Sequence, residues 1–594
     1  MKKCRSAWVV MSQTKIAVTA LDERINDNLS VPYGLIRTVR HYLEFVGVLS
    51  YIRGLKSKGV RLDLIVVALC TYTMHTSNSM NACAEWLRNP AVRRQLGFSP
   101  KDEISQKTLN RAIVILGENR EGIIAHLWKG IKERFEIDDY DINLDGSAVV
   151  LYGPKSEYGE IGYGRDKNRG KLQVEFMVAQ LASLGIPIYI KPYSGSTSDE
   201  AQYRDCVPEL AGLLSGEGLH SLDSLKGDLD AKEIDEASLN AVAAVAMLGA
   251  AIVADNGAAS DKNTRRMKSC GFSYLTRVNI NASDLKNIEE HCSEFEYIGG
   301  GMMCYTHSFA SSGRTTYLFL SRDLLEKGRH KSRDRLEKDL KRYEDAKEGN
   351  LRKSDYVKVS KVPWIEVDVK LTLQERLVPY SEADIQRLVR ERMGTKCGFF
   401  KLESNLQMTA KEALIKYRRR VGVEHLISSL KRITGIKPIR VWNKDSVDGS
   451  MTLALLSEAA IAMARHCMPA YEDPPKEVPE GTIEEDETPA KKHKPSTESM
   501  VRSLSHLTLT RFRNGKGPLK EVLSNWDPIS QAVFNDIRLH ESPEWALARS
   551  PPAETIRRNL FMRQLSNDPI SGCSVPAPII MCAGTRAYRE HLSK

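Results

Sequence analysis

Tyr417, Arg420, Glu424 and Lys431 bring a phenol, a guanidinium, a carboxylate and an amine into one short segment. Spaced by three, four and seven residues, they project from one face of a helix over about four turns. A core helix does not place a carboxylate among cations and a phenol on one stripe; a solvated salt-bridge face or a site for a charged ligand does. Between residues 411 and 445 there are ten basic residues and three acids, so Glu424 stands as an acid inside a basic surface, as a metal ligand would. Asp145 and Asp255 are two further candidates. Each closes an apolar run, Asp141-Ile-Asn-Leu-Asp145 and Ala250-Ala-Ile-Val-Ala-Asp255, where a buried strand delivers a side chain into a crevice at a sheet edge.

The elements that must position these residues follow from periodicity. Asp141–Asp145, Leu172–Ala182 and Ile186–Ile190 read as three strands in meander spacing. Helices near 199–214 and 237–248, a strand at 250–255, a helix at 260–269 and a strand at 272–278 complete the order β-β-β-α-β-α-β. A ribonuclease H-like fold requires that order: the first strand is central and the fourth lies beside it, so Asp145 and Asp255 become neighbours. The expected class is therefore α/β, a ribonuclease H-like core spanning 136–284 and 396–470, interrupted at 285–395 by a mainly β insertion subdomain. An all-helical N-terminal domain covers 1–135, a DNA-binding domain if its helix starting with Gln106, Lys107, Asn110 and Arg111 behind the Ser105 cap reads a groove, and otherwise an ordinary polar helix start. An acidic, proline-rich linker covers 471–500 and a C-terminal appended region of unknown role covers 501–594. Asp138, Asp139 and Asp141 read as surface turn charge, and Asp261 as the opening of a helix.

Composition sets the outer limits. The chain has 594 residues, 42% hydrophobic and 27% charged, enough for several packed units and too apolar for general disorder. Its 86 basic against 76 acidic residues give +10, which favours a polyanionic partner. No uninterrupted apolar run reaches a bilayer span of about 20 residues, so no membrane partner is expected. The basic start lacks an apolar signal region, and eleven scattered cysteines without metal-ligand spacing fit reduced thiols in a cytoplasmic protein, nucleoid-associated when bound to DNA.

Taken in order, Leu144-Asp145-Gly146, Gly162-Tyr-Gly-Arg-Asp166, Gly195-Ser-Thr-Ser-Asp199, Val253-Ala-Asp255-Asn-Gly257, Cys397 to Asn405 and the 417–431 segment resemble insertion-sequence DDE transposases of the four-type (YREK) group. That family carries its third catalytic acid in a Y-x2-R-x3-E-x6-K helix. The resemblance covers roughly residues 140–463 and implies catalytic and metal-binding roles for Asp145, Asp255 and Glu424. They would hold two Mg2+ or Mn2+ ions, Asp145 bridging and the other two each completing one ion, since hard cations suit oxygen ligands and phosphodiester chemistry uses such pairs. It implies DNA-binding roles for Tyr417, Arg420 and Lys431, with Arg418 and Arg419 beside them. The implied partners are double-stranded DNA, both inverted-repeat ends and target, and a second copy of the chain in a homodimer that pairs two ends. In relatives an aromatic residue of the insert holds a flipped base; Phe309, Tyr317 and Trp364 are candidates, each equally a core aromatic. A nuclease or resolvase that cuts without joining, and a non-catalytic DNA-binding protein, are the rival readings.

Overall fold

A computed structural model describes residues 31–151, 156–162, 170–226, 236–309, 313–350, 364, 377–437, 439–469, 494–513 and 519–540. The chain divides into two compact units, Met1–Phe534 and Asn535–Lys594, and of the second only 535–540 are described. All of the 162–166 stretch but Gly162, the acidic linker from 471 to 493 and the last 54 residues, 541–594, lie outside the described residues, as does the side chain of Phe309.

Helices lead, as the periodicity requires: α1 (Tyr33–Phe45), α2 (Val48–Gly54), α3 (Leu62–His75), α4 (Met80–Trp86), α5 (Pro90–Leu96), α6 (Gln106–Glu118) and α7 (Arg120–Arg134). Ser105 caps α6 with its hydroxyl accepting from the Thr108 amide, and Thr108 reciprocates on the Ser105 amide.

The sheet comes next in the chain. β1 (Asp141–Val150) opens it and runs on beyond Asp145; the two-residue β2 (Glu160–Ile161) adds to β3 (Leu172–Leu181), and β4 (Ile186–Ser194) pairs with β3 on the same side. β3 pairs antiparallel with β1. After α8 (Asp199–Ser215) and α9 (Glu236–Met247), β5 (Ala251–Ala254) runs parallel to β1, and after α10 (Asp261–Ser269), β6 (Ser273–Val278) runs parallel to β5. β5 is apolar and buried on both faces, and β3 is buried on both faces over most of its length, the signature of strands covered on each side. β1 thus lies between β3 and β5, as expected.

Among its described residues the 285–395 stretch holds more helix than its reading as a mainly β subdomain has. Its described part holds α11 (Ala282–Glu290), β7 (Glu296–Gly299), β8 (Met302–Phe309), β9 (Arg314–Ser321), the long α12 (Arg322–Lys347) and α13 (Glu382–Met393), so helix outweighs strand. The three strands form no sheet of their own. β9 pairs with β10 (Phe399–Ser404), β10 with β6, and the central sheet runs on as β6-β10-β9-β8-β7. The physical reason is shared burial: Cys304, Tyr317, Phe319, Phe400 and Leu402 pack in one apolar cluster with Val253 and Leu275 of β5 and β6. Of the candidate aromatics, Tyr317 is fully buried with its hydroxyl donating to the Met408 carbonyl, and Trp364 is buried against Leu336, Tyr343 and Val389; both are core residues.

α14 (Ala410–Arg418), α15 (Val421–Arg432) and α16 (Lys444–Cys467) complete the sheet's surroundings, followed by α17 (Thr497–His506), the hairpin β11 (Thr508–Arg513) and β12 (Leu519–Ser524), and α18 (Pro528–His540). Leu509 bridges Val31 and the Leu507 carbonyl accepts from the Gly34 amide, so this part of the C-terminal region closes on the start of α1. α16 is the one helix among the described residues long and apolar enough to cross a membrane, and 83% of its most apolar window is buried inside the fold. It packs on β4, α6, α1 and α3.

Two glycines set the α6–α16 approach. A Cβ on Gly449 would overlap the Ile113 carbonyl, and one on Gly117 the Asp445 carbonyl, so the helix backbones touch at both points. Gly449→Ala is expected to cost about 1–3 kcal/mol of unfolding free energy, read from chemical denaturation; an unchanged midpoint would refute the close approach.

Glu458 lies on the same helix, buried, accepting from Ser429 Oγ of α15 at 2.5 Å. Burial pushes its carboxyl up from 4.5 to about 8, with Ser429 opposing. Between those values the unfolded chain releases a proton that the fold retains, so the stability is full below pH 4.5 and falls as pH rises toward 8, by about 1.4 kcal/mol per pH unit. Glu458→Gln removes that slope. Its thermal midpoint should gain on the wild type steadily from pH 5 to pH 8, and parallel profiles would contradict the assignment.

Candidate active site

Register brings the first two acids together. Leu144 pairs with Ala254 at the last step of the parallel β1–β5 ladder, so Asp145 and Asp255 come next on neighbouring strands. β1 runs on past Asp145 while β5 stops, and Asp255 leads into a short 3₁₀ turn, Asn256–Ala258. The two carboxylates therefore stand at the carboxyl end of β5, where a parallel sheet opens into a crevice.

The third acid arrives on a helix pair, not on one helix. α14 ends at Arg418 and α15 begins at Val421. Between them Arg420 donates to the Tyr417 carbonyl, Gly422 to Arg419 and Val423 to Arg420, i→i−3 bonds that tighten the turn. The cause lies in β1, whose alternate residues Asp141, Asn143 and Asp145 share one face and each hold this segment. Lys416 pairs with Asp141, the Asn143 amide donates to the Arg419 carbonyl at 3.1 Å, and Arg420 Nη1 donates to Asp145 at 3.0 Å. Asp141 and Asp145 are about 13 Å apart along a strand, whereas a regular helix rises only about 6 Å from residue 416 to 420. The tighter turn, with its larger rise, and the long cationic side chains take up the mismatch.

Asp141 is accordingly no surface charge. It is 2% exposed, and burial raises its pKa against the pull of Lys416. Asp139 does stay near the surface, paired with Arg419 at 2.9 Å, while Asp261 opens α10 behind the Ser260 cap.

All three candidate acids meet one cation. The Arg420 guanidinium contacts Asp145 at 3.0 Å, Asp255 at 3.7 Å and Glu424 one turn ahead in α15. Its side chain is 9% exposed, against 19% for Asp145, 43% for Asp255 and 50% for Glu424, so the guanidinium and Asp145 form the floor and the other acids the rim. Burial opposes the charge on Arg420, but Tyr417, Asp145, Asp255 and Glu424 outweigh it and hold its pKa above the ordinary value. The Tyr417 ring lies 5.7 Å from the guanidinium, and burial keeps its phenol protonated, raised further by Asp255 and lowered by Arg420.

Lys431 lies two turns beyond Glu424 on α15, and Arg418 is exposed at the end of α14. Sequence reading passed over Tyr203 of α8, buried beneath the acids; burial, then Asp145, Cys206, Asp199 and Asp255, raise its phenol well above the usual range. The only signal available for it was its position one turn after Asp199.

The donor set is what a hard divalent cation takes: carboxylate oxygens from separate elements, already gathered around a positive group. Arg420 fills the point on which they converge, so it competes with any bound ion for the same oxygens.

No family model matches the chain, and no curated protein matches it. Among solved structures, a piggyBac transposase synaptic complex with hairpin DNA aligns over 93% of this chain and 88% of that one, at a TM-score of 0.33 and 10% identity, a likeness too slight to bear on what this chain does.

Proposed function

We propose that the protein is a DNA transposase with a ribonuclease H-like core, which binds the inverted-repeat ends of an insertion sequence as a dimer, cleaves them and joins their 3′-hydroxyls to target DNA. The strand order β4-β3-β1-β5-β6, with β1 antiparallel to β3 and parallel to β5, supports that core. The observation that carries the reading is the convergence of Asp145, Asp255 and Glu424, from two strands and a helix, on one cationic point. Nothing in DNA binding alone favours three carboxylates gathered on a surface meant for a polyanion.

Asp145, Asp255 and Glu424 would hold Mg2+ or Mn2+. Two such ions, when bound, supply a nucleophile at neutral pH and charge stabilisation at the leaving oxygen. Arg420, displaced from the carboxylates, turns a planar fork toward a phosphate, and Tyr417 offers its protonated hydroxyl beside it. Lys431, with Arg418 and Arg419, extends the phosphate contacts along the backbone of the bound end.

The test uses the full chain with a labelled end duplex, a target plasmid and Mg2+. Joined product is the expected result. Cleavage without joining would replace the proposal with a nuclease, and binding without cleavage would reduce it to a DNA-binding protein.

A further inference from the structure

A second site lies beyond the acids, where the segment after α15 meets α3, α4 and α6. Two adjoining cavities, of about 580 and 630 Å³, share Thr73, Asn78, Gly435 and Arg440 in their walls. Asn78 of the α3–α4 turn donates to the Gly435 carbonyl at 2.6 Å and fixes that segment against the helices.

The two halves differ in chemistry. The first mixes amides, among them Asn81, Gln106 and Asn110, with apolar side chains such as Met80, Ile436 and Leu453, and Trp442 lines it too. Gln106 and Asn110 are one turn apart on α6, and Ile113, on the same side of that helix, lines the cavity with them. Trp442 is 58% exposed, an indole without the burial its size ordinarily obtains. The second half carries Arg432, Lys437, Arg440 and Arg502 against a single acid, Glu498, which already pairs with Arg502 at 3.6 Å.

An aromatic face and a set of amides suit a nucleobase, while the cationic half suits its phosphates; one groove with both fits a nucleotide strand. The first cavity, of about 580 Å³, has volume for one or two nucleosides. Arg432 is eight residues from Glu424 on α15, about 12 Å along the helix, within reach of a strand whose reacting phosphate sits at the acids.

We propose that this groove binds an unpaired DNA strand, with phosphates on Arg432, Lys437 and Arg440 and a base against Trp442, Gln106 and Asn110. The inference rests on the DNA-processing reading but is tested without catalysis. Fluorescence anisotropy of a labelled 12-nucleotide single strand in EDTA, with the full chain, is the measurement. Trp442→Ala should weaken single-strand binding about tenfold while leaving a blunt duplex of the same length nearly unaffected. Arg440→Gln should lower the salt slope of single-strand binding by about 0.7. Asn110→Ala, at an exposed position of α6 in the cavity wall, should also weaken single-strand binding, a readout independent of the tryptophan. Wild-type affinity in Trp442→Ala and an unchanged slope in Arg440→Gln would overturn the proposal, as would full competition by a mononucleotide at equal nucleotide concentration. Should the joining assay fail while these variants lose affinity, the groove stands and the chemistry falls; joining with unchanged affinities has the opposite meaning.

Discussion

Replacing Asp145 with asparagine is expected to lower metal-dependent cleavage of an end duplex by at least about 10³-fold, with Asp255→Asn and Glu424→Gln close behind. The magnitude follows from what a carboxylate ligand supports in such a site: several kcal/mol of charge stabilisation in the transition state, at about 1.4 kcal/mol per factor of ten. Asp145 should be the most severe because it is the least exposed of the three and faces Arg420 from mid-strand. The fold should survive. Arg420 retains Asp255 and Glu424, and β1 stays anchored to the helix pair through Asp141 and Asn143. Circular dichroism and thermal midpoints within a few degrees of wild type, beside lost cleavage in a single-turnover assay, are the expected pair of results. Retained cleavage in all three variants would remove these residues from the chemistry.

Arg420→Ala separates two roles that act in opposite directions. The guanidinium contacts all three carboxylates, so a divalent ion taking the same oxygens would compete with it. Without it, Mn2+ affinity measured by titration calorimetry should rise about tenfold, the worth of one charge-assisted contact no longer in competition. Cleavage should nonetheless fall by about 10²-fold or more, because a donor fork beside the reacting phosphate is lost. Arg420→Lys keeps the charge but not the fork, and should restore the ordinary ion affinity without restoring cleavage. Weaker Mn2+ binding in Arg420→Ala would show that the arginine organises the carboxylates and does not compete for them. Unchanged cleavage would remove it from the phosphate.

Several features of the site depend on positions two or more elements apart. The turn between α14 and α15 is one: its sequence, Arg418-Arg-Arg420-Val-Gly422, contains no proline, and the helical spacing of Tyr417, Arg420 and Glu424 runs through it unbroken. What bends the backbone there is the set of anchors on β1, 270 and more residues earlier in the chain, and no local propensity reports them. Asp141 misled for the same reason. An acid at the start of a strand is most often solvated, and only Lys416 descending from α14 makes its burial tolerable.

By itself the sequence determined the strands and helices of the core, their order, and the cap at Ser105, because each is written in local periodicity or in a short spacing. The tertiary structure alone decided that Asp145 and Asp255 end one parallel ladder in step, and that β7 to β9 extend the central sheet. It also decided that α16 threads the interior, that Arg420 stands among the acids, and that Trp442 lines a groove alongside amides. Register, sheet extension and burial of charge depend on which distant surfaces meet, and that is fixed only when apolar faces compete for the same core.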